Sequence, residues 1–363
     1  MNEYKRSRYK PLYNKQKGVT LFELLIASAM GLFVMGGIMQ VFSDTKQTVR
    51  INRSLANIQD GGRIAVNLLT DEFRMIGYQG CADPDVIQTN VIAVPAPLIT
   101  LYDSALQAYE VSATGWGVGT DLDGIDDTGT ANAIMGSDVI TVQRASAESI
   151  GLTGNMTADN ANIQIESNDL GFEQGDIVMI SDCENADIFR ITNNPNGGST
   201  VTLAHATGSN STNRLGQIYS TDAQVMTFVS NTYFVGDTGR TNTQGGTINA
   251  LYRLEVDGTV PVELIEGVDN MQLLFGQRLS NGNLRYLAAD DTDIDWTAIE
   301  IIKLSLLISS TQASEPANDE KTYIVAGGQI RPDTDSSATI TYTSDLRMRR
   351  AFNTAITIRN RQE

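Results

Sequence analysis

The sequence predicts an α+β fold, in which one long N-terminal helix packs on an antiparallel sheet and a β-rich insertion separates the two. Three observations predict it. A 24-residue apolar run lies near the N-terminus. An apolar stripe at spacings of three and four continues from it. Beyond residue 81, short β-branched runs alternate with Gly, Asn and Thr.

The apolar run is VTLFELLIASAMGLFVMGGIMQVF, residues 19–42. At about 1.5 Å per residue it crosses a hydrocarbon layer of roughly 30 Å as a helix. Lys5, Arg6, Arg8, Lys10, Lys15 and Lys17 precede it against a single Glu3, a local charge of +5. The positive-inside rule keeps residues 1–18 in the cytoplasm and exports the chain beyond about Ser43. A cleaved secretory signal would use a small-residue site such as Ala27-Ser28-Ala29, but that cut leaves Met30–Phe42 as an unexplained apolar end. An ordinary signal anchor fits the length and the flanks. It does not explain Glu23, because a carboxylate in hydrocarbon costs about 2.5–3.5 kcal/mol and is usually paired or functional.

Lys17-Gly18 followed by Val19-Thr20-Leu21-Phe22-Glu23 and a long apolar helix resembles the class III signal of type IV pilins and pseudopilins. The resemblance implies a type IV pilin-like fold and cleavage after Gly18 by prepilin peptidase. The new terminus, Val19, would be methylated by the same enzyme. It also implies that Glu23 neutralises the terminal amine of a neighbouring subunit as the filament grows, with Thr20 and Leu21 in the same assembly segment. Two buried opposite charges that meet relieve a desolvation cost that each would bear alone. The sequence departs from the family in a longer leader and in Val, rather than Phe, as the first mature residue.

Past Phe42 the helix continues. Ile51, Leu55, Ile58, Gly62, Ala65, Leu69, Phe73 and Ile76 form one stripe, with Arg50, Arg53, Gln59, Arg63 and Asn67 on other faces. A helix over about 20–77 would be roughly 85 Å long. Gly36-Gly37 and Gly61-Gly62 weaken it, each Gly costing about 1 kcal/mol relative to Ala. Local melting and close helix packing both account for the first pair.

Gly77 and Gly80 suit a helix stop. Phe73-Arg74-Met75-Ile76-Gly77-Tyr78-Gln79-Gly80-Cys81 resembles the segment that closes the long helix in PilW-type minor pilins, and Gly175 to Cys183 resembles a strand that leads to a second cysteine. Two cysteines in an exported chain read as one disulfide, with two free thiols as the alternative. The resemblance implies the pair Cys81–Cys183.

From Val86 to about Leu215, Val139–Val142, Ile163–Ile165 and Val201–Leu203 read as strands. Leu251–Val256 alternates and turns at Asp257-Gly258. Glu263–Leu273 resembles one strand of PilW and of J-type pseudopilins, and Trp296–Ser310 and Leu346–Arg359 complete a sheet. The segments are therefore 1–18 leader, 19–42 filament-core helix, 43–80 amphipathic helix, 81–215 β-rich insertion and 216–363 antiparallel sheet.

No enzyme constellation is present: there is no G-x-S-x-G, no H-E-x-x-H and no P-loop. His205, the only histidine, reads as a surface residue, and Gly115-Trp116-Gly117-Val118-Gly119 reads as a loop. No cofactor is expected. Asp121, Asp123, Asp126 and Asp127 alternate around Gly124 as in hard-cation loops, so calcium is the one candidate, although the distal bidentate Glu is missing. Arg347, Arg349, Arg350, Arg359 and Arg361 would guard an edge strand or meet an acidic neighbour. The net charge is −17, and with +5 in the leader the rest carries −22, which disfavours nucleic acid.

The resemblance thus implies a non-enzymatic minor pilin that initiates pilus assembly near the tip and supports twitching motility and adhesion. Its partners would be other minor pilins, the major pilin, prepilin peptidase, the inner-membrane assembly platform and a tip adhesin. It would sit in the inner membrane with a periplasmic C-terminal domain, then in the pilus at the cell surface. A J-type pseudopilin of a type II secretion system and a membrane-anchored periplasmic binding module are the alternatives.

Overall fold

A computed structural model describes residues 18–81, 89–94, 105–112, 132–196, 201–255 and 260–361. The chain divides into two units, Met1–Asn52 and Arg53–Glu363. In the first unit every described residue but Gln47 and Ile51 is exposed, and from Leu21 onward the backbone is helical.

The helix α1 runs Leu21–Arg74, and within the second unit it buries Ile58, Gly62, Ala65, Leu69 and Phe73. That is the predicted stripe, continued by Ile76, while Ile51 and Leu55 are only half-buried. Helical backbone stops at Arg74, short of the predicted Gly77, and two left-handed glycines follow, Gly77 (φ 74°) and Gly80 (φ 74°). The orphan carbonyl of Ile76 accepts from Asn360 Nδ2 at 3.2 Å.

The strands are β1 (Asn90–Val91), β2 (Leu106–Glu110), β3 (Asp138–Gly151), β4 (Ile163–Ile165), β5 (Ile177–Ser181), β6 (Ala186–Arg190), β7 (Val201–Leu203), β8 (Gln224–Thr241) and β9 (Thr247–Glu255). They continue as β10 (Val262–Glu266), β11 (Val268–Arg278), β12 (Leu284–Ala288), β13 (Ile299–Ser309), β14 (Tyr323–Val325), β15 (Gly328–Pro332), β16 (Ile340–Tyr342) and β17 (Arg349–Thr357). Among the described residues an eight-stranded sheet runs β1-β6-β5-β8-β3-β2, with β9 on β8 and β10 on β9. A four-stranded antiparallel sheet runs β12-β11-β13-β17, and smaller sheets join β14-β15-β16 and β4-β7.

Alternation along the strands builds the cores. In β5, Val178 and Ile180 enter one apolar cluster while Ile177 and Met179 enter another, as a period of two requires. In β13, Ile302, Leu304, Leu306 and Ile308 face the main core, whereas Leu307 meets Val325 and Ile330 beneath the small sheet. The main core joins the helix stripe to Leu106, Ile140 and Tyr233 of the large sheet and to Met271, Leu273 and Phe275 of the four-stranded one. Phe73 meets Tyr233 edge to face at 6.4 Å. Each buried Leu, Ile or Phe contributes about 1.5–3 kcal/mol.

The strands of 81–215 and of 216–363 share a sheet, since β3 and β5 both pair with β8. Glu263–Leu273 is not a single strand. It breaks at Gly267 (φ 85°), so that β10 joins the eight-stranded sheet and β11 the four-stranded one. The turn at Asp257-Gly258 lies outside the described residues, although β9 and β10 pair antiparallel on either side of it.

Candidate functional site

Chemistry at the head of the chain depends on where the helix starts. Gly18, Val19 and Thr20 are non-helical and exposed, and Leu21 is the first helical residue. The Gly18–Val19 peptide therefore lies in open backbone, and a Cβ on Gly18 would touch nothing within 4 Å. Packing within the described residues gives no reason for glycine there.

Thr20 and Glu23 form a reciprocal pair. Thr20 N–H donates to Glu23 Oε2 at 2.9 Å, and Thr20 Oγ1 donates to the same oxygen at 3.0 Å. Glu23 N–H donates back to Thr20 Oγ1 at 3.3 Å. This is a capping box, Thr at the N-cap and Glu three residues on. Thr20-x-x-Glu23 carried that signal in the sequence, and it gives Thr20 a role that the class III resemblance alone does not specify. The acidic group also sits where the helix dipole favours negative charge. Around it Leu21 (78 % exposed), Phe22 (71 %) and Leu25 (61 %) are open. The helix Leu21–Arg74 is long and apolar enough at this end to cross a membrane.

At the other end of the helix the two cysteines meet. Cys81 and Cys183 form a disulfide, Cα–Cα 4.7 Å, across 102 residues of sequence. Cys183 adopts φ 72°. The turn that holds it is bound by Asp182 Oδ1, which accepts from Glu184 N at 3.1 Å and Asn185 N at 2.8 Å. The helix-end segment is held separately, Ala145 N donating to Tyr78 O at 2.6 Å. The bridge thus pins the stretch after α1 to the β5–β6 turn.

Residues 232–360 match the family model Type IV Pilus-assembly protein W, and residues 13–39 match the prokaryotic N-terminal methylation motif. The chain matches a PilW-family pilin with a prepilin signal. Both findings support a type IV pilus-related minor pilin, structural rather than enzymatic. No curated protein and no solved structure gave a match.

The region matched to PilW contains the C-terminal cations, and two of them do not face outward. Arg347 and Arg349 are buried, each 4 % exposed. Arg349 Nε donates to Asp269 Oδ2 at 2.9 Å, and its Nη2 pairs with Asp345 Oδ1 at 2.9 Å. Arg347 Nε donates to Asp345 Oδ2 at 2.6 Å, and its Nη1 donates to Thr247 O at 3.1 Å. Asp319 receives Tyr323 OH at 2.7 Å and lies 3.7 Å from Arg349. The expectation that these two arginines guard an edge or meet a neighbour is corrected: they bind β9, β11 and β17 to the intervening loops. Their partners lie 2 to 100 residues away in sequence, which local composition cannot display. Burial opposes the Asp345 carboxylate, but Arg349 and Arg347 outweigh it and hold its pKa below the ordinary value. Arg350 and Arg359 are exposed, Arg350 on β17 at the edge of its sheet, and the Arg361 side chain lies outside the described residues.

His205 is likewise corrected from surface to interior. It is 2 % exposed, its Nε2 lies 3.0 Å from Ala161 O, and its ring meets Phe189 edge to face at 5.5 Å. A buried imidazole packed on a phenyl ring is a core residue. Sequence reasoning also missed Asp138, 4 % exposed, whose Oδ2 accepts from Leu273 N at 2.6 Å. Burial pushes its carboxyl up to about 8, against the Leu273 N–H, with Glu110 and Asp290 adding to the rise. Lys17, Gly115–Gly119 and the loop of Asp121, Asp123, Asp126 and Asp127 lie outside the described residues. Among the described residues no group of three or more His, Cys, Asp or Glu is arranged to hold a metal ion.

Proposed function

We propose that this chain is a minor pilin that initiates type IV pilus assembly and stays in or near the tip, where it supports twitching motility and adhesion. It is cleaved between Gly18 and Val19, methylated on Val19, and held in the inner membrane by residues 19–42 with the folded unit in the periplasm. It then passes into the filament beside other minor pilins and the major pilin. The prepilin peptidase, the inner-membrane platform and a tip adhesin are its further partners.

The observation that carries this reading is the first helical turn. An open Gly18–Val19 peptide precedes a Thr20–Glu23 capping box in an otherwise apolar, exposed helix. A carboxylate placed there costs about 2.5–3.5 kcal/mol in hydrocarbon. The capping bonds offset part of that cost, and an amine freed at Val19 of a neighbour offsets more, because opposite charges that meet in a low-dielectric layer relieve each other. Glu23 therefore registers one subunit on the next.

Intact-mass spectrometry of the native protein tests the claim. The expected N-terminus is N-methylated Val19. Gly18→Asp is expected to abolish processing, whereas Glu23→Ala is expected to leave processing intact and lower the amount of this subunit in sheared pili. A native protein that begins at Met1, or normal processing and incorporation in both variants, overturns the reading.

A further inference from the structure

We propose that Lys46 and Arg50 form a site for anionic phospholipid headgroups, in the leaflet where the apolar helix emerges. The site rests on the reading of residues 19–42 as a membrane span, and it is independent of cleavage or of filament entry.

Three observations carry it. Phe42, Lys46 and Arg50 follow one another at i, i+4 and i+8, so they lie on one face of α1, and all three are exposed. With about 1.5 Å rise per residue, the Lys46 backbone lies roughly 6 Å past Phe42 and that of Arg50 roughly 12 Å past it. A headgroup layer is about 5–8 Å thick on each side of the hydrocarbon.

The second observation is direction. Helical side chains lean toward the N-terminus, here the side of the apolar run. Lys46 follows that rule: its Nζ sits 4.4 Å from the centre of the Phe42 ring, the last apolar residue of the span. Arg50 leans the same way, its Nη2 donating to Gln47 Oε1 at 2.6 Å. Both cations therefore reach back into the layer where phosphates lie, as long basic side chains near helix ends do.

The third is charge. Neither cation forms an ion pair among the described residues. The nearest acid in sequence, Asp44, receives Gln40 Nε2 at 3.0 Å on its Oδ1. A positive-inside chain has no topological need for cations after its span. Two of them, aimed backward within one headgroup depth, match a phosphodiester anion.

The test uses the full chain, purified in detergent with equal phosphatidylglycerol and phosphatidylcholine, and counts the lipids retained by native mass spectrometry. Wild type is expected to retain phosphatidylglycerol in preference. Lys46→Gln or Arg50→Gln is expected to cut that preference about fivefold each, and the double variant to retain the two lipids in bulk proportion. Lys46→Arg with Arg50→Lys is expected to keep the preference, and raising salt to weaken it. Equal retention of the two lipids by wild type, or a double variant with the wild-type preference, overturns the headgroup site alone. A wild-type chain that retains neither lipid overturns the span and the site with it.

Discussion

Replacing Gly267 with Ala tests the junction on which the two-sheet architecture turns. Gly267 sits between β10 and β11 at φ 85°. Its N–H donates to Asn249 O at 2.7 Å, and its carbonyl accepts from Ser309 N at 2.8 Å, so its backbone is held from both sides. An added Cβ would lie 2.6 Å from Ser309 O, a backbone atom at the end of β13 that cannot swing away as a side chain would. The left-handed conformation costs a non-glycine residue about 1–2 kcal/mol. The overlap adds about 1–3 kcal/mol, as overpacking does elsewhere, for a total of roughly 2–5 kcal/mol. A folded unit of about 300 residues unfolds with an entropy near 0.6 kcal/mol/K, so Tm is expected to fall by roughly 3–8 °C.

Gly171→Ala is the control. Its φ is 73°, but a Cβ there meets nothing within 4 Å. Only the conformational cost remains, with a shift of roughly 2–3 °C. Thermal unfolding of the full chain in detergent, followed by circular dichroism, measures both. If the Gly267 variant melts no lower than the Gly171 variant, the overlap with Ser309 plays no part and the account of the junction is wrong.

The folded unit yields two further expected outcomes. Replacing both Cys81 and Cys183 with Ser opens a loop of 102 residues and is expected to remove up to about 4.7 kcal/mol on the chain-entropy account, read as a lower urea midpoint. Reduction of the wild-type protein is expected to give the same midpoint, and an unchanged midpoint in both refutes the stabilising role. Asp138 has a folded pKa raised to about 8, so the native state holds a proton that the unfolded chain releases near pH 4. Stability from this group is full below about pH 4 and is lost as pH rises toward 8. Asp138→Asn is expected to flatten urea stability over that range; an equal slope in variant and wild type counts against it.

Local patterns made the long helix and part of the strand set legible, but not β8, the longest strand. The stripe Ile58, Gly62, Ala65, Leu69 and Phe73 is a matter of spacing, and spacing is preserved whatever the helix packs on. The strand Ile177–Ser181 was expected from the resemblance of Gly175–Cys183 to the family, and the structure gives it cores on both faces. The Thr20–Glu23 cap is also local, its two residues three positions apart, and was present in the sequence as a capping signature.

What escaped sequence reasoning depends on partners far along the chain. Arginine at 347 and 349 reads as surface charge, because burying it is costly unless carboxylates arrive to meet it, and Asp269 comes from β11, a separate strand. His205 is interior because Phe189 and Ala161 close around it. Gly267 reads as one more strand residue until Ser309 O occupies the space above it.

The sequence by itself determined the α+β class, the apolar span, the basic flank before it, the Gly18–Glu23 signal and the buried face of the helix, because each rests on charges and periods within a few turns. Only the tertiary structure decided which strands share a sheet, where Glu263–Leu273 breaks and which charged groups turn inward. Those outcomes depend on contacts between residues far apart in the chain, and a linear pattern does not encode which group arrives at the other side of a contact.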